Sequence, residues 1–137
     1  MGFKFIHNDY GAPPTRITHI LCTNSEAFTA GEVVKLSSGR WTKASSTDVP
    51  AGIITHNVTA GTDNQAEVIL IREGDVFEAP YSGTPNAGFV PGANAVAIAN
   101  DGLSVDSSTV AGGAVAALSV NTAKKTCQIK FKSRQLS

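Results

Sequence analysis

Residues 49–81, VPAGIITHNVTAGTDNQAEVILIREGDVFEAPY, constrain the fold more than any other part of the chain. Within them residues 67–72 read EVILIR, with four apolar residues in succession, three of them β-branched. A run of that length is too short for a buried helix. Turn residues bound it on both sides, so it predicts a strand buried on both faces. Before it, Ile53, Ile54, Thr55 and Val58 carry the β-branched bias of another strand. Residues 60–64, AGTDN, form a turn cluster, and Glu73-Gly74-Asp75 turns again into VFEA. The stretch reads as three strands joined by two turns, and it carries no obvious chemistry.

The same grammar continues on either side. Residues 15–23, TRITHILCT, begin with alternation and predict a strand. GEVVKLSSGRWTKA, residues 31–44, is a β-hairpin turning at Ser37-Ser38-Gly39. Further on, AVAIA (residues 95–99), the Asn100-Asp101-Gly102 turn and Leu103-Ser104-Val105 predict a second hairpin. Residues 114–120 follow as a strand, and in residues 126–132 Cys127, Ile129 and Phe131 alternate with Gln128, Lys130 and Lys132. The one helix-compatible segment, AGGAVAAL, is weakened by its two glycines. The expectation is an all-β fold, a compact sandwich or barrel of short strands with turn-rich loops.

The pattern repeats. Gly31 and Gly92 are 61 residues apart (92 − 31), as are Val49 and Val110, and Gly52 and Gly113. This spacing divides the predicted domain, residues 15–137, into two pseudo-repeated halves, 29–81 and 90–133, whose loops differ by two residues. Residues 1–14 are expected to stand apart as an extended N-terminal arm. Phe3, Phe5, Ile6 and Tyr10 make it sticky, and Pro13-Pro14 separates it from the first strand. Such a segment needs a surface, either an edge of its own domain or a partner. These six residues are the candidate interaction site.

Charge and composition narrow the function. Eleven basic and eleven acidic residues cancel. That balance lacks the electrostatic footprint of a nucleic-acid binder. Only 16% of residues are charged, which suits a chain that spends its life against other proteins. Lys124, Lys125, Lys130, Lys132 and Arg134 read as a lysine-protected edge strand. No apolar run reaches the length of a membrane span, and MGFKFIHNDYGAPP does not read as a signal peptide. Cys22 and Cys127 read as reduced, small apolar residues made in a reducing cytoplasm. His7, His19 and His56 are isolated, so no metal site is expected. No nucleophile, acid–base pair or cofactor motif appears, so no enzyme and no cofactor are expected. Glu67, Glu73, Asp75 and Glu78 read as solvated strand ends rather than a glycosidase pair.

TAGEVVKLSSGRWTKAS, DVPAGIITHNVTAG and AEVILIREG resemble the small β-rich capsid decoration, or cement, proteins of tailed bacteriophages. The resemblance is best over residues 29–78 and extends weakly over 89–132. It departs from the family in the aromatic N-terminal segment and in the alanine-rich second half. The resemblance implies a structural virion protein, made in the host bacterial cytoplasm. It would bind the exterior of the major capsid protein lattice, commonly as a homotrimer, and stabilise the shell. Two other classes remain open: a phage tail-tube, fibre or baseplate domain, and a carbohydrate-binding β-sandwich. The second would need Trp41 and Tyr81 as an exposed platform.

Overall fold

The structure, a computed structural model, describes residues 2–137. Eleven strands and no helix are found among them: β1 (Lys4–Asn8), β2 (Arg16–Ile17), β3 (Val33–Ser37), β4 (Arg40–Lys43), β5 (Gly52–Ile54), β6 (Val68–Leu70), β7 (Asp75–Ser82), β8 (Ala97–Ile98), β9 (Val105–Asp106), β10 (Val115–Asn121) and β11 (Thr126–Phe131). The all-β, short-stranded fold expected from the sequence is what the chain adopts.

The strands form two sheets, each curling back on itself. The first runs β2-β6-β5-β3-β4. The chain after β2 then closes it, with a parallel bridge from Cys22 to Trp41 on β4 and an antiparallel bridge from Leu21 to Gln65. The second runs β10-β11-β7-β9-β8 and returns through a bridge between Val96 and Val115, with β1 added on β7. Two small strand rings therefore lie in tandem.

The rings share one hydrogen-bond scheme. Gly31 N donates to Ile54 O (2.8 Å) and Ile54 N to Glu32 O (3.0 Å). In the second ring Gly92 N donates to Ala117 O (2.9 Å) and Ala117 N to Ala93 O (2.7 Å). Ile71 N to Ala51 O (3.0 Å) is matched by Lys132 N to Ala114 O (2.8 Å). β2 pairs antiparallel with β6 as β7 does with β11. The unit thus starts at β2 and again at β7, earlier than the boundary read from the glycines, and β7 opens the second unit instead of ending the first. The offset is 61 residues at Gly31 and Gly92 and 63 at Ile54 and Ala117. Gly52 and Gly113 are therefore not equivalent positions.

Alternation decides which core each side chain joins. On β3 and β5, Val34 and Ile54 point into the first ring with Trp41, Val68 and Phe28. Val33 and Ile53 point outward, into a second cluster with Phe77, Ile98, Val115, Ile129 and Phe131. The outer face of the first ring is thereby the inner wall of the second, which is why β5 is buried along its whole length. β6 is different. Val68 is buried but Ile69 and Leu70 are half-buried, because only the two-residue β2 flanks it on that side. The expectation that EVILIR is buried on both faces fails there. The continuous strand expected over 15–23 is also broken, into β2 and the bridges at Leu21 and Cys22.

Residues 2–14 do not form the detached arm expected over 1–14. β1 pairs with β7 through Lys4–Glu78, Phe5–Phe77, His7–Val76 and Asn8–Asp75, and Phe3 N donates to Gly31 O at 2.9 Å. Of the apolar side chains that made the segment look sticky, Phe3 is buried and Phe5 half-buried inside the domain, while Ile6 and Tyr10 stay exposed. The Pro13-Pro14 break connects two integral strands.

Candidate interaction surface

The six residues proposed as an adhesive site divide into covered and uncovered groups. Phe3 is 4% exposed and packs on Phe131 with ring centroids 5.7 Å apart. Phe5 meets Phe77 edge-on at 5.8 Å, and Phe77 meets Phe131 at 5.6 Å, so the two N-terminal rings complete an aromatic cluster. Phe3 is a core residue, whereas Phe5 is half-buried and packs against the core. Ile6, Tyr10 and Pro13 are exposed, and Pro14 is half-buried.

Local backbone explains what is uncovered. The β1–β7 register shifts between Phe5 and His7, and the extra residue at this bulge, Ile6, is turned outward. Leu118 sits in the same way at a register shift between Ala117 and Ser119 on β10. Tyr10, 81% exposed, is the most exposed large hydrophobic side chain among the described residues. It is presented by a pinned turn. Asn8 Nδ2 donates to Asp75 Oδ1 (2.8 Å), Asn8 Oδ1 accepts from Tyr10 N (2.8 Å), and Asp9 N donates to Gly74 O (2.8 Å). Val49, Val90 and Leu136 are also exposed. Sequence reading missed these, although Val49 and Val90 each precede a proline in a loop, where a side chain has no sheet face to join.

Beneath the Tyr10 turn lies the most strongly paired buried charge. Asp75 is 1% exposed. Arg72 grips it in a fork, Nη2 to Oδ1 at 2.9 Å and Nε to Oδ2 at 3.1 Å, with Arg72 N also donating to Oδ2 at 3.0 Å. Asp75 is therefore not a solvated strand end but an organising anchor for the N-terminal segment. A second buried acid, Glu32, accepts from Lys43 Nζ (2.9 Å) and from Thr29 N (3.0 Å). Both acids have structural partners. Three clefts border this region, of ≈ 490, ≈ 340 and ≈ 270 Å³. The first two flank β1, and the third lies beside Tyr10, Lys130 and Lys132.

Several of the remaining chemistry-bearing groups are tied into the fold. Cys22 and Cys127 are free and buried. Burial, with a smaller contribution from Glu78, pushes the Cys127 thiol up to about 12. Burial likewise raises Cys22, helped by Glu26 and opposed by Arg40. His56 Nε2 accepts from Glu67 N at 3.0 Å. The Glu67 carboxyl is held below its usual range, first by the Thr55 hydroxyl and then by Arg16. Among the described residues no group of three His, Cys, Asp or Glu side chains could hold a metal ion, and no helix is long and apolar enough to cross a membrane. The basic edge is partly engaged within the chain, since Lys130 pairs with the Asp9 carboxylate and Arg134 Nη1 donates to Phe131 O. Trp41 is fully buried in the first ring, and Tyr81 packs on Phe89 with centroids 5.0 Å apart. The aromatic platform required of a carbohydrate binder is therefore not built from this pair. Compared with known protein families and with curated proteins, the chain matches none.

Proposed function

We propose that the chain is a structural virion protein that docks on the exterior of a tailed-phage capsid and stabilises the shell. In this reading it is made in the host bacterial cytoplasm. It binds the major capsid protein lattice as a homotrimer and has no catalytic role, no cofactor, and no nucleic-acid or membrane partner. The observation that carries the reading is the set of large apolar side chains left on the surface of an electroneutral chain: Ile6, Tyr10, Val49, Val90, Leu118 and Leu136. Exposed apolar groups of this kind mark surfaces that another protein covers when they adjoin one another. Repeated modest contacts around a trimer would gain strength through multivalency. The resemblance over residues 29–78 points the same way, because those residues build β3 to β6 and the first half of β7.

With Phe3 in the core and Phe5 half-buried against it, the docking role falls in this reading to Ile6 and Tyr10, with Pro13 beside them. Co-sedimentation with expanded capsids, and negative-stain images of the free protein, test the proposal. Saturable binding and compact trimers are expected, with occupancy reduced by Ile6→Ser combined with Tyr10→Ser. Rings or tubes of the free protein would indicate a tail component instead. Absence of capsid binding by a folded wild-type chain would refute the decoration role.

A further inference from the structure

β1 is an edge strand. It pairs with β7 and with no other strand. The ladder shows which main-chain groups that edge leaves over. Tyr81 N donates to Lys125 O at 3.2 Å, so the odd-numbered residues of β7 turn their N–H and C=O toward β11. Glu78 therefore turns its own pair toward β1, where Lys4 stands opposite. Phe5, the next residue of β1, turns its N–H and C=O the other way, off the sheet. Phe3 N points off the same edge and is taken by Gly31 O at 2.9 Å. For Phe5 no main-chain partner is found on that side among the described residues.

The cleft of ≈ 340 Å³ lies along this edge. Phe5 and Phe77 line it from the second sheet, and Ile53 and Ile69 line it from the outward face of the first ring. Ile53 is buried, but Ile69 is only half-buried. The sheet is one strand short of covering it. Two charged side chains line the cleft, Lys4 and Arg16, and both are basic. Each has an acid for a neighbour, Glu78 opposite Lys4 and Glu67 on Arg16 at 2.8 Å, but neither acid lines the cleft. Among the described residues no ion pair holds Lys4.

We propose that the free edge of β1 and this cleft take an extended segment of a partner protein in which acidic and apolar residues alternate. Strand addition draws affinity from main-chain bonds and specificity from alternate side chains. A segment residue opposite Phe5 exchanges N–H···O bonds with it in both directions, and its side chain enters the cleft, so it is apolar. Its neighbours point to the opposite face, beside the Lys4 ammonium, so they are acidic. The bulge after Phe5 ends the ladder, which keeps the contact short and weak at a single site. Ile6 and Pro13 directly adjoin Phe5 and Pro14 of this cleft in sequence. The choice of a protein as the partner rests on the docking role proposed above.

NMR of the full-length chain tests this without a capsid. In the free protein the Phe5 amide should exchange readily while the Lys4 amide is protected. Acetyl-EVEVE-amide at millimolar concentration should slow exchange at Phe5 by about tenfold, roughly one hydrogen bond gained, and shift the Ile69 methyl resonances saturably. Acetyl-KVKVK-amide should do neither. Lys4→Glu, a change at an exposed side chain, should weaken binding of the acidic peptide by about two- to fivefold, the worth of one cross-strand charge pair. A Phe5 amide already protected in the free protein, no slowing with the acidic peptide, or equal effects of the two peptides would overturn the site. If octanoate shifts Ile69 and the acidic peptide does not, the cleft takes a small apolar anion and the strand occupant is wrong. A failure here leaves capsid docking through Ile6 and Tyr10 standing, and loss of capsid docking leaves these peptide results unchanged.

Discussion

Gly113 and Gly39 are both glycines in this β fold, but they are glycine for different reasons. A Cβ on Gly113 would lie 2.0 Å from Val96 O, inside the bridge that closes the second ring. The backbone there cannot yield without opening the ring, so Gly113→Ala should destabilise by about 1–3 kcal/mol or more, as overpacking does. Gly39 has open space around it but a φ of +76°, following Ser38 at +51°, the pair of left-handed residues that a tight hairpin turn requires. Gly39→Ala should cost only about 1–2 kcal/mol, from backbone strain alone. Urea denaturation of the two variants should separate them in that order. Arg72→Ala should be more severe, near 3–5 kcal/mol, because it leaves the buried Asp75 carboxylate without its cation. Cys127 sets an alkaline limit. Below its ordinary value of 9.0 both folded and unfolded thiols hold the proton, and the thiol favours neither state. Between there and about 12 only the unfolded thiol ionises, so stability should fall as pH rises through that window. Cys127→Ala should flatten this alkaline slope in denaturation midpoints measured from pH 8 to 11.

At the level of elements, hairpins were legible and closures were not. The β3–β4 hairpin, the β8–β9 pair and the in–out alternation of β11 follow from local pattern, since turn residues and period-two burial are both written in short windows. What escaped was set by pairings between distant residues. Phe3 and Phe5 are as apolar as an adhesive arm requires, and nothing local says that Phe77 and Phe131 are waiting for them. The bulges that turn out Ile6 and Leu118 are register events between strands, invisible to alternation along one strand. EVILIR looked central by composition, yet β6 has a short neighbour, whereas β7 is flanked by β11 on one side and by β1 and β9 on the other. Native-state hydrogen exchange should therefore find the slowest amides on β7 and β11, not on β6. Val68→Lys should unfold the protein while Leu70→Lys is tolerated far better. Phe3→Ala should cost about 3–5 kcal/mol, the usual range for a buried phenylalanine. A Phe3→Ala variant that melts like wild type would show β1 to be peripheral after all.

As a whole molecule, the chain is one hydrogen-bond scheme used twice, with the outward face of the first ring supplying part of the core of the second. Spacing of glycines exposed the period, but glycines mark turns and close approaches, so they located the repeat only to within a strand. The shared core, together with β1 and the Gln135–Leu36 contact, joins both rings into one unit. In the proposed decoration role, docking falls to the exposed apolar side chains of the two bulges, the Tyr10 turn and the Val–Pro loops. If the chain clamps neighbouring subunits of a shell, as proposed, clamping should show as resistance of the shell to rupture. The most direct measurement is DNA release from filled capsids during a thermal ramp, with the protein absent, added back, or added as Ile6→Ser with Tyr10→Ser. Under the decoration role, bare capsids should release DNA at a lower temperature, the wild-type chain should restore the higher one at saturation, and the double variant should not. Identical release temperatures with and without saturating wild-type protein would contradict it.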